Sequence, residues 1–103
     1  MSKFENVSVS TQANVYFDGK CVSYDLELPG GVSKSVGVIQ PSQLTFTTSA
    51  PEVMELVAGE AKVTLAGGTE ARTYRGGESF EVPGDSSFDI EIVETMHYIC
   101  HYG

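Results

Sequence analysis

The sequence predicts an all-β fold built as a single sandwich, barrel or jelly-roll domain, and three observations carry that prediction. The chain has 103 residues, too few for a second core. Val, Thr, Ser, Phe, Tyr and Gly dominate its composition, residues suited to pleated strands and tight turns. Short strand-like runs recur at a spacing of roughly ten residues, and no segment sustains a helical apolar period.

Residues 1–13 are polar and read as a loosely held leader or an edge strand, with the barrel domain over 14–103. Strands are expected at Asn14–Phe17, Lys20–Leu28, Ser35–Ile39, Gln43–Thr48 and Glu52–Ala58. They continue at Ala61–Ala66, Thr69–Tyr74, Ser79–Val82, Ser87–Val93 and Thr95–Tyr102. Turn chemistry separates them: Asp18-Gly19, Pro29-Gly30-Gly31, Pro41-Ser42, Gly59-Glu60, Gly67-Gly68, Gly76-Gly77 and Pro83-Gly84-Asp85.

Alternation assigns the inner face, because residues two apart in a strand point the same way. Met54 and Leu56 oppose Glu55, and Val63 and Leu65 oppose Lys62 and Thr64. Phe80 and Val82 oppose Ser79 and Glu81, and Phe88, Ile90 and Ile92 oppose Asp89 and Glu91. Val53 and Val57 add apolar side chains to the outer face, which implies either a covering strand or a dimer interface.

The formal charge is −8, and the six cations (Lys3, Lys20, Lys34, Lys62, Arg72, Arg75) are scattered. Without a basic patch, that balance disfavours nucleic acid and anionic membrane surfaces as partners. No apolar run approaches membrane-spanning length, and residues 1–6 lack a secretory apolar region. Two distant cysteines, Cys21 and Cys100, form no disulfide framework, so a cytoplasmic protein with free thiols is the expectation.

Two segments carry a resemblance. Glu52, seven residues before Gly59, resembles the second half of the first cupin motif, in which a strand, a glycine turn and a returning strand aim the Glu into the barrel. Gly77-Glu78-Ser79-Phe80-Glu81-Val82-Pro83 resembles the second cupin motif, Gly, five residues, Pro. Metal-binding cupins place histidines where this chain has Phe46-Thr47-Thr48 and Phe88. The histidines present, His97 and His101, fall about 13 Å apart along a strand at ~3.3 Å per residue, too far to share one ion. No metal site is expected.

At finer grain the chain resembles a metal-free branch of small cupins, the pyrimidine/purine nucleoside phosphorylases. The matching stretches are Val15-Tyr16-Phe17-Asp18-Gly19-Lys20, Ser35-Val36-Gly37-Val38, Thr45-Phe46, Ala50-Pro51-Glu52, Gly76 through Pro83, and Tyr98-Ile99-Cys100 with Tyr102. The resemblance implies a cupin-type jelly-roll barrel, a homodimer, no cofactor, and inorganic phosphate as co-substrate. It further implies cleavage of purine and pyrimidine nucleosides to free base and ribose 1-phosphate. A non-enzymatic cupin module that binds a nucleoside or sugar is the alternative.

Phosphorolysis requires a held phosphate, a stabilised oxocarbenium-like sugar and a neutralised leaving base. Glu52 is the candidate acid: burial would raise its pKa and let it donate to the base, or as a carboxylate it would steady the sugar. The competing assignment is a Glu bonded to a nearby turn. Thr48 shares Glu52's face if the Ser49-Ala50-Pro51 bend preserves alternation, and offers a hydroxyl to substrate or phosphate. Phe46 and Phe88 provide a base-stacking surface or core filler. Lys34, Ser86 and Ser87 are candidates for phosphate, Tyr16, Tyr98 and Tyr102 for the mouth, and Cys100 is a small buried hydrophobe. The negative charge poses a problem for such an enzyme, since phosphate must find a local site against an unfavourable field.

Overall fold

The computed structural model describes residues 3–102; Met1, Ser2 and Gly103, at the ends of the expected leader and barrel, lie outside the described residues. In chain order the strands are β1 (Ser8–Val9), β2 (Asn14–Tyr16), β3 (Cys21–Leu28), β4 (Val32–Ile39), β5 (Ser42–Thr47), β6 (Glu52–Leu65), β7 (Arg72–Arg75), β8 (Ser79–Val82) and β9 (Ser87–Tyr102). A 3-10 turn, Phe17–Gly19, follows β2. Within the leader, β1 lies against β3 at Ser8↔Glu27 and Val9↔Leu26.

Two long antiparallel strands, β6 and β9, organise the molecule. They pair from Glu52↔Tyr102 to Leu65↔Phe88. The second half of β9 also pairs with β4, which pairs with β3, while the first half pairs with β5. The first half of β6 carries β8 and the second half carries β7. Each long strand thus serves both halves of a rolled sheet, and one apolar core joins Met54, Leu56 and Val82 to Val63, Phe88 and Ile90. That is a jelly-roll barrel.

This corrects one expectation. Gly59-Glu60 is not a turn between two strands: β6 runs through it, with register irregularities between Leu56 and Ala61. Both halves of β6 stay paired to the same partner, so the glycine kinks the ladder rather than reversing it. Its φ of 99° and the approach of the Thr95 carbonyl, which a Cβ would strike, both require glycine. Likewise β9 runs unbroken past Glu94. Elsewhere β4 starts earlier than expected, at Val32, and β7 later, at Arg72.

The inner faces assigned by alternation hold in β6, β8 and β9: Met54, Leu56, Val63, Phe80, Val82, Phe88, Ile90 and Ile92 are buried. Leu65 departs from the pattern and is exposed, because it is the last residue of β6. The β3–β4 pair is inverted. Its inner residues are Cys21, Ser23, Ser35 and Ile39, and its outer ones include Val22, Tyr24, Val36 and Val38. A sheet with polar residues inside and valines outside needs something polar to hold within and something apolar to cover it without.

Candidate active site

The inverted pair faces the first residues of β6 and the last of β9, and between them the barrel keeps a cavity of about 280 Å³. Register brings its polar groups together. Ser35 lies opposite Cys100, and Tyr102, two residues further on the same face, lies opposite Glu52. The hydroxyls of Ser35 and Tyr102 share a hydrogen bond of 3.0 Å. Tyr98 Oη lies 3.7 Å from Cys21 Sγ and also bonds Ser23. Glycine at position 37, opposite Tyr98, lets β3 approach closely, since a Cβ there would strike the Val22 carbonyl and Ser23.

The opposite wall is aromatic. Phe46 stacks on Phe88 with centroids 5.5 Å apart and planes 20° apart. Phe17 meets Phe46 edge-on at 5.3 Å, and Phe88 leads inward to Phe80 at 5.6 Å. Phe17 holds this position from a left-handed backbone, φ 53°, rare for a bulky residue and costly by ~1–2 kcal/mol. Tyr16 and Thr47 complete the rim. The cavity therefore has a stacking side and a hydrogen-bonding side, facing each other across a gap suited to a small ligand.

Electrostatics set Glu52 apart. Burial pushes its carboxyl pKa up, partly offset by a hydrogen bond from the Cys100 thiol. Burial, reinforced by the Glu52 charge, pushes Cys100 up to about 12, so it stays a neutral thiol at ordinary pH. Burial pushes Tyr102 up to about 12 as well, and raises Tyr98 further still. Glu52 is thus an acid held toward its neutral form amid neutral donors.

Of the sequence candidates, the structure brings Glu52, Phe46, Phe88, Tyr16 and Tyr98 into this cavity. Thr48, Lys34, Ser86 and Ser87 do not line it. The Thr48 hydroxyl donates to the Pro83 carbonyl at 2.6 Å and accepts the Ser86 amide at 3.0 Å, so it clasps two loops. The cause is local: β5 ends at Thr47, and the bend that follows ends the alternation on which Thr48's placement depended. Lys34 sits beside Ser35, but strand alternation sends it to the other face, where its Nζ donates to His101 Nδ1 at 2.6 Å. His101 Nε2 in turn donates to Glu55 at 2.9 Å. Ser23, Ser35 and Phe17 are lining residues that the sequence reading missed, and Cys100, read as filler, lines the cavity beside Glu52. The detectable signal was the Ser-x-Gly-x-Ile run of β4, whose alternate positions are valines.

A second, larger hollow of about 730 Å³ lies on the outer face, lined by Val22, Tyr24, Val36, Val38 and Val57, with Phe4 and Val7 at its edge. Its charged side chains and histidines are Lys3, Glu55, His97 and His101, and the last of these is bonded to Lys34 and Glu55.

A rolled barrel with a cavity between its long strands defines a cupin-type protein. Consistent with that class, an oxalate decarboxylase variant of Bacillus subtilis matches 81% of this chain with 26% of its own, at a TM-score of 0.66 and 14% identity, a likeness of fold alone. Within that class the chain belongs to the pyrimidine/purine nucleoside phosphorylase family, whose model matches residues 11–102. A pyrimidine/purine nucleoside phosphorylase of Nocardia farcinica is 67% identical over 103 residues, covering 100% of both chains. The crystal structure of a protein of unknown function from Acinetobacter matches 98% of each chain at 44% identity, with a TM-score of 0.96.

Proposed function

We propose that this chain is a pentosyltransferase that cleaves purine and pyrimidine nucleosides with inorganic phosphate, giving free base and ribose 1-phosphate. The observation that carries the reading is the two-sided cavity in a chain of this family: three phenylalanines face Glu52 and a row of hydroxyls. The aromatic wall stacks any base without reading its edge, which suits broad specificity. The sugar then lies toward Ser35, Tyr98 and Tyr102.

In the reaction the bond between the anomeric carbon and the base nitrogen breaks, and its electron pair leaves with the base. A phosphate oxygen forms the new bond to that carbon. Glu52 gives its proton to the departing base, and the proton of hydrogen phosphate returns Glu52 to the acid form. Hydroxyl and thiol donors replace water around the developing charges. The positions that hold metal-ligating histidines in other cupins carry Phe46 and Phe88 here, and the proposed reaction uses no metal or other cofactor.

The same reading makes the protein a cytoplasmic homodimer, without nucleic-acid or membrane partners. The apolar outer face of β3, β4, β9 and β6, with Val57 46% exposed, supports the dimer. Incubation with inosine or uridine tests the function. Hypoxanthine and uracil are released when phosphate is present and not when it is omitted. A protein that binds either nucleoside but releases no base with phosphate is the non-enzymatic module instead.

A further inference from the structure

Phosphate brings negative charge, yet the cavity proposed to receive it is lined, among the described residues, by no Lys, Arg or His. The chain as a whole carries −8, so no long-range field compensates. Lys34, the cation nearest in sequence to a lining residue, is turned outward into its row with His101 and Glu55. What the cavity offers an anion is neutral hydroxyls and one thiol, together with one carboxyl. An anion beside an ionised Glu52 would meet like charge in a partly buried site, and beside a neutral Glu52 it would meet another donor.

We propose that this cavity takes up its anion together with a proton, which Glu52 carries in the anion-bound resting complex before the base departs. The inference rests on the reading of the cavity as the phosphate site and names the charge state in which that site works. The groups facing Glu52 leave it alone in this role. From β9 it meets Cys100 and Tyr102, from β4 the hydroxyl of Ser35, and its partner on β8 is the uncharged Val82. Tyr98 and, from β2, Tyr16 line the same cavity. Burial keeps the thiol of Cys100 and the phenols of Tyr98 and Tyr102 protonated well above neutral pH, leaving Glu52 as the group that gains the proton.

Sulfate is the probe of choice, because its own charge is constant across the range in which phosphate titrates. Calorimetry of sulfate binding to the wild-type protein between about pH 5 and pH 8 should show affinity falling about tenfold per pH unit above the pKa of Glu52. In buffers of different ionisation enthalpy, uptake should approach about one proton per sulfate at the alkaline end and vanish at the acid end. Glu52→Gln, neutral at every pH, should bind sulfate with an affinity that does not change over the range. The proton-uptake measurement needs only wild-type protein and decides the matter even if the variant fails to fold. Flat wild-type affinity, an equal slope in Glu52→Gln, or no sulfate binding at any pH each overturns the proposal. Proton-linked sulfate binding without phosphorolysis defeats the enzymatic reading and leaves this inference standing. Phosphorolysis with pH-independent sulfate binding does the reverse.

Discussion

Thr48→Val separates a structural hydroxyl from a catalytic one. Thr48 is buried, and valine matches its shape, so the substitution removes the hydroxyl and little else. Lost with it are the 2.6 Å bond to the Pro83 carbonyl and the 3.0 Å bond from the Ser86 amide. Removing one partner from buried hydrogen bonds costs ~1–3 kcal/mol, and here the exposed Pro83 can recover water in part, which favours the lower half of that range. For a domain of this size, 1 kcal/mol moves the melting temperature by about 4 °C, so a loss of about 4–8 °C is expected by calorimetry. The clasp also includes the Asp85 amide bonded to the Ser49 carbonyl at 3.1 Å, which the substitution leaves in place. Turnover with inosine and phosphate, measured well below the new melting point, should stay within about twofold of wild type, because the hydroxyl does not reach the cavity. Unchanged melting with turnover down about a hundredfold would refute the structural assignment and return Thr48 to the reaction.

Three other outcomes follow from the same geometry. Phe17→Gly relieves a left-handed phenylalanine, worth ~1–2 kcal/mol, and gives up an edge contact worth ~0.5–1.5 kcal/mol, so stability should change little while KM for nucleosides rises about two- to tenfold. Burial raises the pKa of Glu52, so its folded form holds the proton more tightly than its unfolded form does. The stability it lends is complete below the unfolded pKa and declines as pH rises through the folded one, so the melting difference between Glu52→Gln and wild type should shift in favour of Gln from acid to neutral pH. Val57→Asp places a charge on the exposed apolar face and should weaken self-association at least about a hundredfold by sedimentation; unaltered association would locate the interface elsewhere.

Much of the barrel was legible because its core strands obey simple alternation. Phe80 and Val82, then Phe88, Ile90 and Ile92, are buried where a period of two puts them. Strand continuity was not legible at Gly59, since a glycine that kinks a strand and one that turns it share the same preference for positive φ. Glu52 was found through its spacing to Gly59, although the glycine's role differs from the one that spacing implied. Ser23 and Ser35 were missed for a physical reason. Set beside Val22 and Val36, these small polar residues read as the solvent side of a strand, and only the pairing of Ser35 with Cys100 reveals that Ser35 faces inward. Thr48 was placed by an alternation that ends with β5 at Thr47, and Lys34 by its charge, though alternation turns it to the other face.

The central claim is that Glu52, as a half-buried acid opposite an aromatic wall, drives departure of the base. The most direct measurement is phosphate-dependent turnover of inosine and uridine by Glu52→Gln beside wild type, with folding of both verified by calorimetry. The account predicts a folded variant whose kcat falls by about 10²- to 10⁴-fold for both nucleosides. A folded variant that turns over both nucleosides at the wild-type rate would contradict it.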